Sequence, residues 1–529
     1  MDVSAGGAPP PPPPRRDDQR LAIRVIAIAT AVRFLVAALL PLGIDESYEV
    51  VVARRLTLSY FDHPPAVFWL SHAAAALGGE SPIAQRWPFV LLFALTSWML
   101  YLLTQRLFGS RAGLWAVFTA QIIPVFSLSS GSWVLPDGPL LCATIAAALA
   151  LSHAIPVASD IGVTAIDNVS PWRAWLAVGL ALGSAGLSKY HAALFGFGVA
   201  VFVLTDANAR RWIAKPQPYV AIVIAALCVL PVFIWNAQHD WASFRFQAGR
   251  AASHGNPITA LLQNIAGQAG YILPWFWVPL VLLLARGLMR GPRDRAVWFC
   301  CCLGAPPVIV FTLAALGGRA GLPHWPAPGF FLLLPLLGAA IARWEVRAPV
   351  IARRRMTIAG SVFATLLAIV VSHAATGWLA TFVPTLHSKD PAFELLEYRS
   401  LHDTLSARGL LSPARFIATT DWLRGAKFGY ALGAARPTLV FNDDPHHFPF
   451  ASDVAPLIGT DGLLLLKLDG GMPADSANAK ADSYRALFDS LHFLGTTPVL
   501  RGADTALTVG IYHAVHLRHA WTPTIATSH

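Results

Sequence analysis

The chain has 529 residues, of which 55% are hydrophobic and only 13% charged. A soluble globular protein carries about twice that charged fraction, and apolar runs of about 18 to 25 residues recur along the chain, so it reads as a polytopic α-helical membrane protein. The net charge of +10 does not mark a nucleic-acid partner, because the basic residues are spread over short segments between apolar runs, as membrane orientation requires.

Residues 1–20 form a Pro-rich tail without an apolar core, expected to be disordered and cytoplasmic. The run 21–43 is long enough to span rather than to be removed as a leader. About eleven spans are expected, at 21–43, 84–105, 112–130, 136–155, 174–187, 190–205, 218–236, 264–285, 296–316, 325–343 and 357–380. Pro231, Pro306-Pro307 and Pro335 interrupt some of them, which membrane helices tolerate where neighbours satisfy the freed backbone groups. With the N-terminus inside, the cytoplasmic segments collect Arg106, Arg111, Arg210, Arg211, Lys215, Arg286, Arg290 and Arg353 to Arg355. The opposite short loops hold only Arg54, Arg55, Lys189, Arg245, Arg250 and Arg319. This asymmetry places the first loop, 44–83, outside, with everything after about residue 380. The loop at 156–173, with Asp160 and Asp167, follows the rule least well.

The membrane domain is thus expected over 21–384 and a soluble α/β domain over 385–529. Strands are expected at 415–420, 437–441, 462–466 and 507–512, alternating with helical stretches near 393–408, 421–433 and 480–491. His446-His447 reads as a surface pair and Asp443-Asp444 as a turn. The five cysteines, Cys142, Cys228 and Cys300 to Cys302, lie in apolar runs without a CxxC spacing, so they suit packing rather than a disulfide or thiolate metal site.

Ionisable residues collect at the outer ends of the spans. Asp45-Glu46 ends the first run, and Asp62-His63-Pro64-Pro65 follows in the same loop. Charge next to hydrocarbon is costly and usually has a task. Residues 56–61 and 66–70 could lie along the interface as short helices. Asp137 follows Pro136, Lys189 joins two spans, and His254 and His324 lie in later outer loops. Each residue also has a plainer reading. Asp45-Glu46 could mark a span end, Asp137 a helix N-cap, and Lys189 and Arg33 could snorkel to the headgroups. Trp69, Trp133, Trp241, Trp275, Trp277 and Trp325 suit an aromatic belt.

The ordered set Asp45-Glu46, Asp62-His63-Pro64-Pro65 with Phe68-Trp69, Asp137 and Leu187-Ser188-Lys189 resembles the membrane glycosyltransferases that use a polyprenyl-phosphate sugar. These are the protein O-mannosyltransferase superfamily, of GT-C type, and its bacterial branch that modifies lipid A with aminoarabinose or galacturonic acid. The resemblance covers about the first 330 residues. It implies a bacterial inner-membrane enzyme that moves a monosaccharide from undecaprenyl phosphate to an envelope acceptor such as lipid A, with protein O-glycosylation as the nearest variant. Asp45 would be the base, with Glu46 and Asp137 as catalytic companions. Lys189, Arg250, His63, Arg54 and Arg55 would meet the donor phosphate. One departure stands out: Asp62-His63 occupies a position where the aminoarabinose branch pairs an acid with a lysine. The histidine opens the alternative of a divalent metal held by Asp62, His63 and His254. The rival from another class is a lipid-linked-sugar flippase, which calls for mid-span ionisable residues and paired broken helices.

Overall fold

The structure, a computed structural model, describes residues 16–157, 169–249, 255–383, 385–386, 390–468, 479–501 and 504–521. Arg250, His254, Asp160, Asp167 and residues 1–15 of the tail lie outside the described residues. The chain divides into two compact units, Met1–Arg33 with Phe89–Ala364, and Phe34–Pro88 with Thr365–His529.

The chain begins with helices α1 (Arg16–Leu39), α2 (Ile44–Ala53), α3 (Ala66–Gly78) and α4 (Pro82–Phe108). Six helices among the described residues are long and apolar enough to cross a membrane: α1, α4, Asp137–Ala154, Gln217–Gln238, Arg295–Gly317 and Pro349–Thr376. Two bent pairs, Ser110–Ile122 with Val125–Ser132 (82°) and Pro257–Ile272 with Pro274–Arg293 (112°), raise the number to eight if each is one span. By length and composition the count of eleven is not confirmed among the described residues: Ala192–Thr205 has 14 residues, and the run at 325–343 divides into Ala327–Leu332 and Leu334–Arg347. Apolar composition does not reveal where a helix bends, but proline chemistry does. Leu273, which has φ 72°, precedes Pro274, and a proline disfavours the right-handed helical region for its predecessor, so the first helix of this bent pair ends there.

Within the first unit, small residues let helices approach closely. A Cβ added to Gly179 would stand 2.7 Å from the Ala221 carbonyl oxygen, so helix Pro171–Ser188 lies backbone to backbone on Gln217–Gln238, as small residues permit between membrane helices. Cys300, Cys301 and Cys302 are buried, with Gly198 against the Cys302 carbonyl and Gly287 against the Cys301 thiol. They are packing residues.

The second unit carries a five-stranded sheet. Its strands are β1 (Ile417–Thr419), β2 (Thr438–Val440), β3 (Gly462–Leu468), β4 (Phe488–Arg501) and β5 (Asp504–Leu517), in the order β2-β1-β3-β5-β4. β1 pairs in parallel with β2 and β3, while β5 is antiparallel to β3 and β4. Alternate residues of β3 enter two cores, Leu464 and Leu466 in one and Leu463 and Leu465 in the other, so both faces are covered. Helix Trp422–Leu432 makes the crossover from β1 to β2, capped at its start by Asp421, which accepts from the Arg424 N–H at 2.8 Å. The helix expected at 480–491 is corrected: β4 begins at Phe488, where the pairing Phe488 to Leu517 overrides local preference.

This unit also contains the first loop. α2 packs on Trp422–Leu432, where a Cβ on Gly429 would stand 3.2 Å from Val51 Cγ1. The interfacial helix expected at 56–61 does not form. The Thr57 hydroxyl donates to the Ser59 carbonyl, a local bond that competes with helix, and the Trp69 indole N–H donates to the Thr57 carbonyl at 3.0 Å. The turn between α1 and α2 is held by Arg86, only 1% exposed. Its Nε donates to Glu46 Oε1 at 2.7 Å and its Nη2 to Glu46 Oε2 at 2.6 Å. Its remaining donors reach the carbonyls of Ala37 (3.2 Å), Leu40 (2.6 Å) and Pro41 (2.7 Å). Removing one member of a buried pair costs about 3–5 kcal/mol. Arg86→Met should therefore lower the melting temperature of detergent-purified protein sharply, and Arg86→Met with Glu46→Gln should recover part of the loss.

Candidate active site

In the second unit the candidate residues gather at the N-terminus of α2. Gly43 is its N-cap, and Glu46 accepts the Gly43 N–H at 2.8 Å. Both oxygens of Glu46 are thereby engaged, by Gly43 and Arg86. Asp45, one residue earlier, is exposed and accepts no hydrogen bond among the described residues. Loss of solvent around its carboxyl, then the neighbouring Glu394 carboxylate, push its pKa up to about 6; His446 opposes this, and Glu46 and Asp62 add to it. A carboxylate so tuned is half ionised just below neutrality, the condition suited to a general base.

Asp62 is buried and accepts the Tyr48 hydroxyl at 2.7 Å; His63 Nε2 lies 3.8 Å from Asp62 Oδ2. The Tyr48 hydroxyl in turn accepts the His447 N–H at 3.1 Å, and the Phe61 N–H donates to His447 Nδ1 at 3.0 Å. His446 and His447 are thus not a surface pair: they are 8% and 1% exposed, packed against the first loop. Asp444 lies beside them, 2.9 Å from His446 Nδ1. Arg54 is engaged bidentately by Glu80, at 2.9 and 2.7 Å, and by the Gly429 and Gly433 carbonyls, whereas Arg55 is exposed. Asp62 and His63 stand near one another, and among the described residues no three His, Cys, Asp or Glu side chains form a metal-holding group. The expected third ligand, His254, lies outside the described residues, as does Arg250.

In the first unit, Asp137 is the first residue of its helix and Pro136 the N-cap. Its side chain therefore caps nothing and instead receives Lys189, whose Nζ donates to both carboxylate oxygens at 2.9 Å. Both residues are buried, so Lys189 does not snorkel. His191 and His324 lie within electrostatic reach of Asp137, and His191 stacks on Phe311 at 4.4 Å. Arg33 does not snorkel either. It is 4% exposed, donates to the Ser127 carbonyl at 2.9 Å and to its hydroxyl at 3.2 Å, and lies over the Phe93 ring at 4.7 Å. Sequence reasoning missed Arg86, Tyr48 and the burial of His446-His447. For Arg86 a signal existed, a lone cation within the apolar start of α4.

Comparison with known proteins agrees with the resemblance read from the ordered residues. A family profile described as dolichyl-phosphate-mannose-protein mannosyltransferase matches residues 62–235. Lipid A galacturonosyltransferase RgtD of Rhizobium johnstonii is 26% identical over 304 residues, 57% of this chain and 60% of that protein. An undecaprenyl phosphate-alpha-4-amino-4-deoxy-L-arabinose arabinosyl transferase of Erwinia tasmaniensis is 29% identical over 308 residues, 54% of this chain and 51% of that protein. The matched stretches thus span about half to three fifths of the curated relatives' own length. The crystal structure of ArnT from Cupriavidus metallidurans bound to undecaprenyl phosphate superposes with a TM-score of 0.61 at 16% identity, covering 93% of this chain and 97% of that one. The fold is therefore that of ArnT: a polytopic helical membrane protein with a small C-terminal sheet domain.

Lys189→Met would strand the buried Asp137 carboxylate, a loss of about 3–5 kcal/mol. Adding Asp137→Asn should restore part of the stability. Denaturation of the three variants in detergent measures the coupling, and additive losses would show that the pair is not a unit.

Proposed function

We propose that this chain is a glycosyltransferase that moves a monosaccharide from a polyprenyl-phosphate donor, undecaprenyl phosphate by likeness to the relatives, to an envelope acceptor of the lipid A class. The observation that carries the reading is Asp45: an exposed carboxylate without a hydrogen-bond partner among the described residues, raised to about 6, beside a turn fixed by Arg86. In the proposed step the acceptor hydroxyl attacks the anomeric carbon and Asp45 takes its proton. The bond from that carbon to the phosphate oxygen breaks, and the phosphate leaves with the electron pair. One displacement inverts the anomeric centre. Phosphate is a good leaving group, so the leaving side calls for positive charge rather than a general acid. Lys189 is proposed for that role, with Arg250, Arg55 and His63 as further phosphate contacts. Asp137 orients Lys189, and Glu46 is assigned to holding the Asp45 turn.

No step is routed through a metal. Asp62 and His63 are two of the three residues that would hold a divalent cation, with His254 as the third, and loss of turnover on chelation with recovery on adding back the cation would support that site. Likeness to the bacterial relatives supports a multi-pass protein of the bacterial inner membrane, and the loop-charge asymmetry supports a cytoplasmic N-terminus with the first loop and the 385–529 domain in the periplasm.

A base works in its ionised form, so kcat/KM should be level above neutral pH and fall as pH drops through about 6. Asp45→Asn should lose roughly 10²–10⁴-fold in turnover while still binding the lipid donor. Transfer of labelled sugar from a synthetic polyprenyl-phosphate donor to purified lipid A measures both, and unchanged turnover in Asp45→Asn removes the base assignment.

A further inference from the structure

We propose that Lys427, in the crossover helix Trp422–Leu432, is a positioning residue for the proposed base: it ties the main chain that enters α2 to the C-terminal domain and so sets where the Asp45 carboxylate stands. The inference rests on the reading of Asp45 as base and gives that domain a part in the reaction.

Lys427 is buried, 3% exposed. Its Nζ donates to two main-chain carbonyls, that of Leu42 and, at 2.9 Å, that of Leu396. Lysine is almost never buried unless it is paired, and among the described residues the hydrogen-bond partners of this one are carbonyls rather than a carboxylate. An apolar side chain would fill the same space without the cost of burying an amine. What the amine adds is a tie between two points of the main chain.

The first point is the entry to α2. Leu42 precedes Gly43, the N-cap, and Asp45 is the second residue of the helix. The neighbouring carbonyls are also held: those of Leu40 and Pro41 by Arg86, and that of Gly43 by the Ser47 hydroxyl at 2.7 Å. Among the described residues Lys427 alone reaches this path from the C-terminal domain. The second point, Leu396, closes the segment Pro391–Leu395. At the other end of that segment Asp390 receives Arg501, and its Oδ2 lies 2.9 Å from His373 Nε2. The segment lies against the turn, since a Cβ on Gly43 would stand 3.7 Å from Leu395 Cδ2.

Further along, the same crossover helix lies on α2. A Cβ on Gly429 would stand 3.2 Å from Val51 Cγ1, and the Gly429 carbonyl accepts from Arg54 at 2.9 Å. So α2 is docked along its length on one helix of the C-terminal domain, with Lys427 at the end that carries Asp45. A general base must stand within hydrogen-bond reach of the proton it takes, and a displacement of about 1 Å can cost roughly 10²-fold in rate.

The test is a double-mutant cycle in the full-length protein, with melting temperature as the check on folding. Lys427→Met keeps the length of the side chain and removes the donor. It should lower kcat roughly 10- to 10²-fold and leave KM for the polyprenyl-phosphate donor unchanged. In an Asp45→Asn background the same substitution should lower the residual rate hardly at all, because the group it positions is gone. A structural role alone would lower the rate by the same factor in both backgrounds. That equal loss, or an unchanged kcat in folded Lys427→Met, overturns the inference. Should Lys427→Met not fold, Lys427→Gln, whose amide is one atom shorter, is taken through the same cycle and judged by the same two outcomes. Full turnover in Asp45→Asn would overturn the base assignment and this inference with it, whereas an inactive Asp45→Asn with unchanged kcat in Lys427→Met overturns this inference alone.

Discussion

The ion pair between Arg86 and Glu46 organises the second unit. Five contacts leave from one guanidinium: two to the Glu46 carboxylate and three to the carbonyls of Ala37, Leu40 and Pro41. The last carbonyls of a helix lack intrahelical partners, and here a side chain from α4 takes up the Ala37 carbonyl in the last turn of α1 and the Leu40 and Pro41 carbonyls just past it. Glu46 does the same for the start of α2 by accepting the Gly43 N–H. Lys427 adds a further restraint, donating to the carbonyls of Leu42 and Leu396. A buried arginine is tolerable only when its donors are satisfied, and satisfying them fixes the path of residues 37–46. Asp45 inherits its place from that path.

The two carboxylates at the centre of the proposal differ by environment, not by residue type. Asp137 is buried and gripped by Lys189 through both oxygens, an arrangement that holds the lysine side chain in one place. Asp45 is exposed, set among other acids, and raised to about 6. Environments that separate the behaviour of chemically equal groups are how one protein supplies both a proton acceptor and a stationary charge. The histidine at position 63 keeps an acid beside it, Asp62, but that acid is already engaged by Tyr48.

The legible parts were those written in local chemistry. Asp45, Asp137 and Lys189 announce themselves as charges at the ends of apolar runs, and β1, β2, β3 and β5 as apolar stretches between turn residues. The illegible parts depend on distant partners. His446-His447 looks solvated in sequence because nothing nearby covers it; its cover is Tyr48, Tyr60 and Phe61, nearly four hundred positions earlier. The start of β4, Phe488 to Leu491, reads as helix until β5 pairs with it. The count of eleven spans is not confirmed for a different reason: hydropathy measures how apolar a run is, not whether it bends, as the pair Pro257–Ile272 and Pro274–Arg293 does by 112°.

The bond from the Phe61 N–H to His447 spans 386 positions, and this has a consequence for assembly. Contacts of such separation close late, because the chain between them must first be made and ordered. The spans can enter a bilayer one after another as they leave the ribosome, yet the first loop cannot reach its final form until the β2 loop has been synthesised. The proposed base is therefore among the earliest residues made and among the last to be completed, so a chain interrupted before residue 440 would hold its helices without a finished reaction centre.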